Sequence, residues 1–135
     1  MNLAEYFDSV KGLGVMATAD PGGNVNIAAI SSPVIMDDET AAFIMAGHLT
    51  YKNLQLNPKA AYLFKEKNGY DGKRLYLTKI EEKQDIDLIE KIRKKRYPIF
   101  TTKYDNESKY VIIFHLDAIV PLVADGVMKP GIKEE

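Results

Sequence analysis

Apolar positions along this chain fall into two periods, and the switches between them mark its elements. Leu3, Tyr6, Phe7 and Val10 recur at helical spacing, and Asn2 followed by Glu5 forms a capping pair in front of them. Gly12 and Gly14 are read as the stop of that short helix. Val15 to Ala19 then reads as a strand, halted by Asp20-Pro21-Gly22-Gly23, a sequence with strong turn chemistry. Asn24 to Met36 resumes in extended form and completes a hairpin. The apolar run Thr40 to Ala46 is too short for a typical helix and suits a strand buried on both faces.

Thr50 can cap a helix running to Asn57, where Pro58 forces the chain out. Ala60 to Phe64 and Lys73 to Ile80 read as strands, the latter with Leu75 and Leu77 on one face and Arg74, Tyr76 and Thr78 on the other. From Glu82 to Tyr97 the period changes to Ile86, Ile89 and Ile92, a helix closed by Pro98. Residues 98–108 read as a loop, Tyr110 to Val123 as a long strand, and the segment from Asp125 as a polar tail. Six strands with three helices predict a mainly β (α+β) fold, an antiparallel barrel with peripheral helices, in one domain over 1–135.

Composition narrows the chemistry. The chain has no Cys, which excludes disulfides, thiolate zinc sites and cysteine nucleophiles. Its two histidines, His48 and His115, are too few for a multi-histidine metal centre. With 18 basic and 19 acidic residues it lacks the basic excess of a dedicated nucleic-acid module. No apolar stretch approaches the ~18 residues a bilayer span needs, and the acidic amphipathic start is unlike a signal peptide. The expectation is a soluble cytoplasmic protein with no nucleic-acid and no membrane partner.

Several motifs have ordinary explanations. Gly12-Leu13-Gly14-Val15-Met16-Ala17 has the letters of a dinucleotide fingerprint, but a helix precedes it and a strand follows, the reverse of what pyrophosphate binding requires. The basic run Lys91 to Arg96 complements a helix C-terminus and makes a solvated face. The clusters Asp37-Asp38-Glu39, Glu81-Glu82 and Asp85/Asp87 sit in turns or on exposed faces and form no desolvated acid–base pair. Ser31-Ser32 lacks the nucleophile elbow, and His115 reads as a hydrogen-bonded structural residue.

The informative segment runs from Ala46 to Pro58. A buried strand ends, Gly47 lets the backbone turn, and a helix begins near Thr50. Unpaired N–H groups and the positive dipole end at such a start can receive a phosphate, with Thr50 and Lys52 as side-chain donors. Thr50 serving only as an N-cap is the competing explanation.

The segment from residue 10 to 80 resembles the pyridoxamine 5'-phosphate oxidase-related, FMN-binding split-barrel family. The resemblance rests on Gly14-Val15-Met16-Ala17-Thr18-Ala19, the Pro-Gly-Gly-Asn turn, Asn26 to Pro33, and Thr50 to Ala61 with its Asn-Leu-x-x-Asn-Pro core. It implies a six-stranded split barrel that forms a homodimer with flavin at the subunit interface. It implies a cofactor site of Asn26, Ile27, Ala28 and Ala29 along the isoalloxazine and Met45 and Ala46 beneath the ribityl chain. His48, Leu49, Thr50, Lys52 and Asn53 fall around the phosphate, with His48 also a candidate proton-handling group. Many relatives carry Lys or Arg where Thr50 stands, and Lys52 or a residue further on, such as Arg74, is the candidate replacement. The function implied is an FMN-dependent oxidoreductase acting on a small-molecule substrate or nicotinamide donor. The alternatives are a flavin-binding electron carrier or sensor, or a relative using deazaflavin or haem. Pocket residues are expected from Tyr97 to Tyr104 or the tail.

Overall fold

A computed structural model describes residues 1–96 and 109–123. Helix α1 (Leu3–Ser9) is followed by strands β1 (Gly12–Ala19), β2 (Val25–Ala29), β3 (Val34–Asp37) and β4 (Thr40–Ala46). Helix α2 (Leu49–Leu56), strands β5 (Lys59–Glu66) and β6 (Gly72–Lys83), helix α3 (Ile86–Arg96) and strand β7 (Lys109–Pro121) complete it. The expected loop at 98–108, the Pro98 stop, the tail from Asp125 and the pocket segment Tyr97 to Tyr104 lie outside the described residues.

All seven strands form one antiparallel sheet in the order β2-β1-β5-β6-β7-β4-β3. The two edge strands, β2 and β3, are consecutive in sequence. The four residues between them span at most roughly 18 Å even when fully extended. The sheet must therefore curl until its edges approach, which gives a barrel with an unbonded gap, a mainly β split-barrel architecture.

Seven strands replace the six expected, because Asn24 to Met36 is not one extended element. Ile30 to Pro33 leaves the sheet, and Pro33, lacking an N–H, is buried there without a ladder bond to give. The hairpin at Asp20 forms as expected, its carboxylate accepting from the Asn24 backbone N–H at 2.9 Å. β6 also runs further than expected, to Lys83, so Glu82 lies on a strand. α3 starts only after Asp85, whose side chain accepts from the Leu88 N–H at 3.2 Å.

Alternation along the strands sorts the core. Met16, Phe43, Tyr62, Phe64, Leu75, Leu77, Ile112 and Phe114 fill the barrel interior. The two short helices close opposite ends. α1 is capped by Asn2 as expected, with Glu5 N–H donating to its side chain at 2.9 Å, and inserts Phe7 against Phe64 with ring centres 5.3 Å apart. α2 closes the other end through Leu54, and α3 lies outside, packing Ile89 and Ile92 on Ala42, Ile44, Val111 and Ile113.

Gly12 and Gly14 do not stop α1; they begin β1. Gly14 exists for packing. A Cβ there would overlap the Tyr62 hydroxyl and stand 2.6 Å from the Ile30 carbonyl oxygen, the atom to which Tyr62 donates at 3.0 Å. Gly14→Ala should therefore destabilise by about 2–3 kcal/mol through overpacking, read as a lowered urea midpoint with an unchanged slope.

Candidate functional site at the start of α2

β4 delivers the chain to the mouth of the barrel at Ala46, and the His48 N–H bonds back to the Ala46 carbonyl at 2.9 Å. The N-cap of α2 is His48, not Thr50. Its backbone carbonyl accepts from Lys52 N–H at 3.0 Å, but its side chain makes no capping bond. The first-turn N–H groups of α2 therefore have neither an intrahelical partner nor a side-chain cap.

Thr50 is buried within the first turn. Its Oγ1 accepts from Asn26 Nδ2 at 3.1 Å. One turn later the buried Asn53 donates from Nδ2 to Thr18 Oγ1, also at 3.1 Å. Thr18 and Asn26 are cross-strand partners in the β1–β2 ladder. Two neighbours on the hairpin thus grip two neighbours on one helix face, an i,i+3 pair. This polar clamp fixes the position of the α2 start against β2, and among the described residues no buried side-chain polar atom lacks a partner.

The other expected site residues divide by orientation. Asn26 and Ala28 face inward, whereas Val25, Ile27 and Ala29 face out, Ile27 being 71% exposed. β2 is an edge strand, so one side of its backbone has N–H and C=O groups unpaired by the sheet. Met45 is buried in the barrel and can offer the site only its backbone, while Ala46 is half-buried beside it. Leu49 is 53% exposed and Lys52 is exposed on α2. Arg74 is occupied elsewhere, donating from Nε to the Pro121 carbonyl at 3.0 Å.

Sequence reasoning missed the side of the mouth formed by Tyr51, Tyr110 and Glu82. The two tyrosine rings stack 4.0 Å apart at 21°. Tyr51 donates its hydroxyl to Glu82 Oε2 at 2.7 Å, and Lys79 and Gln55 donate to Oε1 at 2.6 and 2.8 Å. The only available signal was local, Tyr51 with Gln55 on one helix face; Glu82 had been assigned to a helix. Burial alone would raise the Glu82 carboxyl, but the hydrogen bonds from Lys79, Tyr51 and Gln55 and the Lys79 charge outweigh it and bring it down to about 2. The hydrogen bond to Glu82, with burial, pushes the Tyr51 phenol up to about 12.

No protein-family model matches the sequence, and no curated protein does. Solved structures do match. An FMN-binding protein from Syntrophomonas wolfei subsp. wolfei is 23% identical, with a TM-score of 0.74 over 91% of this chain and 85% of that one. An F420 reductase is 18% identical, with a TM-score of 0.71 over 89% of this chain and 98% of that one. A putative pyridoxamine 5'-phosphate oxidase from Lactobacillus delbrueckii is 19% identical, with a TM-score of 0.62 over 87% and 88%. The chain has the split-barrel fold of the pyridoxamine 5'-phosphate oxidase-like proteins, as the resemblance of residues 10–80 implied. No described helix is long and apolar enough to cross a membrane.

The Glu82 network has a pH signature. Its folded carboxyl titrates below the ordinary 4.5, so the ionised group stabilises the fold fully above pH 4.5, and this contribution is lost as pH falls toward about 2. Glu82→Gln should be less stable than the native chain at neutral pH, and the gap should narrow on acidification across that window. Urea unfolding at several pH values measures it.

Proposed function

We propose that the chain binds FMN and works as a flavin-dependent oxidoreductase, with the phosphate at the first turn of α2 and the isoalloxazine along β2. The observation that carries this reading is the clamp joining the two. Asn26–Thr50 and Asn53–Thr18 hold an uncapped helix start, suited to an anion, beside an edge strand of small and apolar residues, suited to a flat ring. The residues present fit the group. The small side chains of Ala28 and Ala29, one on each face of β2, leave its unpaired edge open to a flat ring; the first-turn amides and Lys52 favour a phosphate electrostatically, and the exposed Leu49 flanks it. Thr50 contributes its backbone N–H, and its Oγ1, which accepts from Asn26, keeps its own hydrogen to donate. Bound FMN would supply hydride or electron transfer; the chain's part is to hold the ring and shape what reaches it. The names of the structural neighbours, FMN-binding protein and F420 reductase, support a flavin-type cofactor.

The same reading includes a homodimer. The outer face of β2, β1 and β5 carries Val25 at 80% exposure, Ile27 at 71% and Leu63 at 39%, with Ala17 and Ala61 between them in register. α3 covers the outer face of β4 and β7, and no described helix covers this one. A second copy packed here would bury that apolar surface and enclose the ring. Ile27→Glu should convert dimer to monomer, measured by light scattering. A monomeric native chain would refute this part.

The cofactor itself is tested by the visible spectrum of the purified protein and the mass of what it releases on denaturation. Leu49→Glu places a carboxylate in the first turn, where a negative charge favours the helix but repels a phosphate. FMN affinity should fall at least about fivefold, as close like charges near a surface cost roughly 1–4 kcal/mol, while thermal stability of the apoprotein holds. Unchanged occupancy would move the phosphate elsewhere. Rapid mixing with NADH or NADPH separates a nicotinamide-linked enzyme, whose flavin bleaches, from a carrier or sensor, whose flavin does not.

A further inference from the structure

A second cluster of chemistry-bearing side chains lies on the outer face of β5, β6 and β7, away from the α2 start. Lys59, Thr78 and His115 stand level with one another across the three strands. Asp117 lies beside them at a β-bulge: Leu77 pairs with Leu116 and Tyr76 with Ala118, so Asp117 is the extra residue. Two residues apart on β7, Asp117 and His115 share a face by ordinary strand alternation, and the bulge brings Ala118 onto that face as well. His115 Nδ1 lies 2.7 Å from Asp117 Oδ1. Thr78 donates its hydroxyl to Oδ2 at 2.5 Å and accepts from Lys59 Nζ at 2.7 Å, with Nζ itself 3.8 Å from Oδ2.

A cation, an imidazole and a hydroxyl therefore converge on one carboxylate whose side chain is only 19% exposed. Burial alone would raise the Asp117 carboxyl, but the hydrogen bonds from His115 and Thr78 and the Lys59 charge hold it below the usual range. An ionised carboxylate at 2.7 Å needs the imidazole proton on Nδ1, which leaves the lone pair on Nε2. The imidazole is 45% exposed, and the Lys59 side chain is 70% exposed with two ammonium donors uncommitted to Thr78. The charge of Asp37 on β3 also reaches His115. One register step along the same face, Tyr76 and Ala118 pair as a short apolar strip.

We propose that His115 and Asp117 form a general-base site that activates water toward a small ester with an apolar body, with Lys59 facing the oxygen that becomes negative. Nε2 takes a proton from water as the water oxygen bonds to the carbonyl carbon. The carbonyl electron pair moves onto oxygen beside the Lys59 ammonium. When that pair returns, the ester C–O bond breaks, and the leaving alcohol takes the proton from the imidazolium or departs as a phenolate. Asp117 holds the tautomer and balances the imidazolium. Every group belongs to this chain and no cofactor takes part, so the proposal stands apart from the flavin reading and is tested on apoprotein.

The probe is p-nitrophenyl acetate. The native apoprotein should release nitrophenolate beyond one equivalent, and His115→Gln should lose about a hundredfold of that rate, the lower side of what general bases supply. Asp117→Asn should lose a comparable factor with an unchanged sheet circular dichroism spectrum, and Lys59→Gln a smaller one. Equal rates in native protein and His115→Gln overturn the proposal. So does release that halts at one equivalent, which marks acylation of a side chain instead of water activation. Imidazole proton–nitrogen correlation spectra of the native apoprotein test the dyad without any variant: the neutral His115 proton should sit on Nδ1, and finding it on Nε2 removes the role of Asp117.

Discussion

Where α2 begins is decided by two hydrogen bonds between amides and hydroxyls, and the candidate cofactor site depends on that decision. Thr18 and Asn26 face each other on the β1–β2 hairpin, and Asn53 and Thr50 face them from one side of α2. An eight-residue helix is far below the length at which helices persist unaided. Its position comes from Leu54 in the barrel mouth and from this clamp. Each member of the clamp is satisfied by the opposite element, so displacing the helix would leave polar groups buried without partners, at about 1–3 kcal/mol each. The clamp uses Thr50 and Asn53 from within the helix and leaves the first-turn amides without a side-chain cap.

The sheet treats its two outer halves differently. Over β4 and β7, α3 covers Ala42, Ile44, Val111 and Ile113 and makes a second small core. Over β2, β1 and the middle of β5 the outward Val25, Ile27, Ala17, Ala61 and Leu63 are apolar, with Val25, Ile27 and Leu63 open to solvent. Along the boundary between the halves the surface becomes polar again, with Lys59, Thr78, Asp117 and His115 linked in a chain of hydrogen bonds. One continuous sheet thus offers a covered face, an apolar face and a charged seam, and each invites a different kind of contact.

Strand identity was readable in the sequence wherever alternation or an apolar run was unbroken. β1, β4, β5, β7 and the first two-thirds of β6 appear at or near their expected places because burial on one or both faces dictates their residue types. The single reading of residues 24–36 failed because nothing local distinguishes one long strand from two separated by Ser31-Ser32-Pro33; the distinction lies in pairing, which is non-local. Glu82 was misplaced for a similar reason, since a charged residue after Ile80 reads as helix start until Tyr51 and Lys79 are seen beside it. At the candidate site, the helix start was legible from Gly47 and Pro58. The burial of Thr50 and Asn53 was not, because a hydroxyl and an amide read as surface groups until their cross-strand partners are known.

The link between β2 and β3 works as a clasp. The sheet's two edges share no ladder bonds, and the ring is closed by covalent chain from Ile30 to Pro33, with Tyr62 reaching over Gly14 to hold the Ile30 carbonyl. A hoop fastened in this way can spring open at one place without tearing any strand from its neighbour. Severing that short tether would let the curved sheet relax toward a flat ribbon and pull β2 away from the helix it is meant to face.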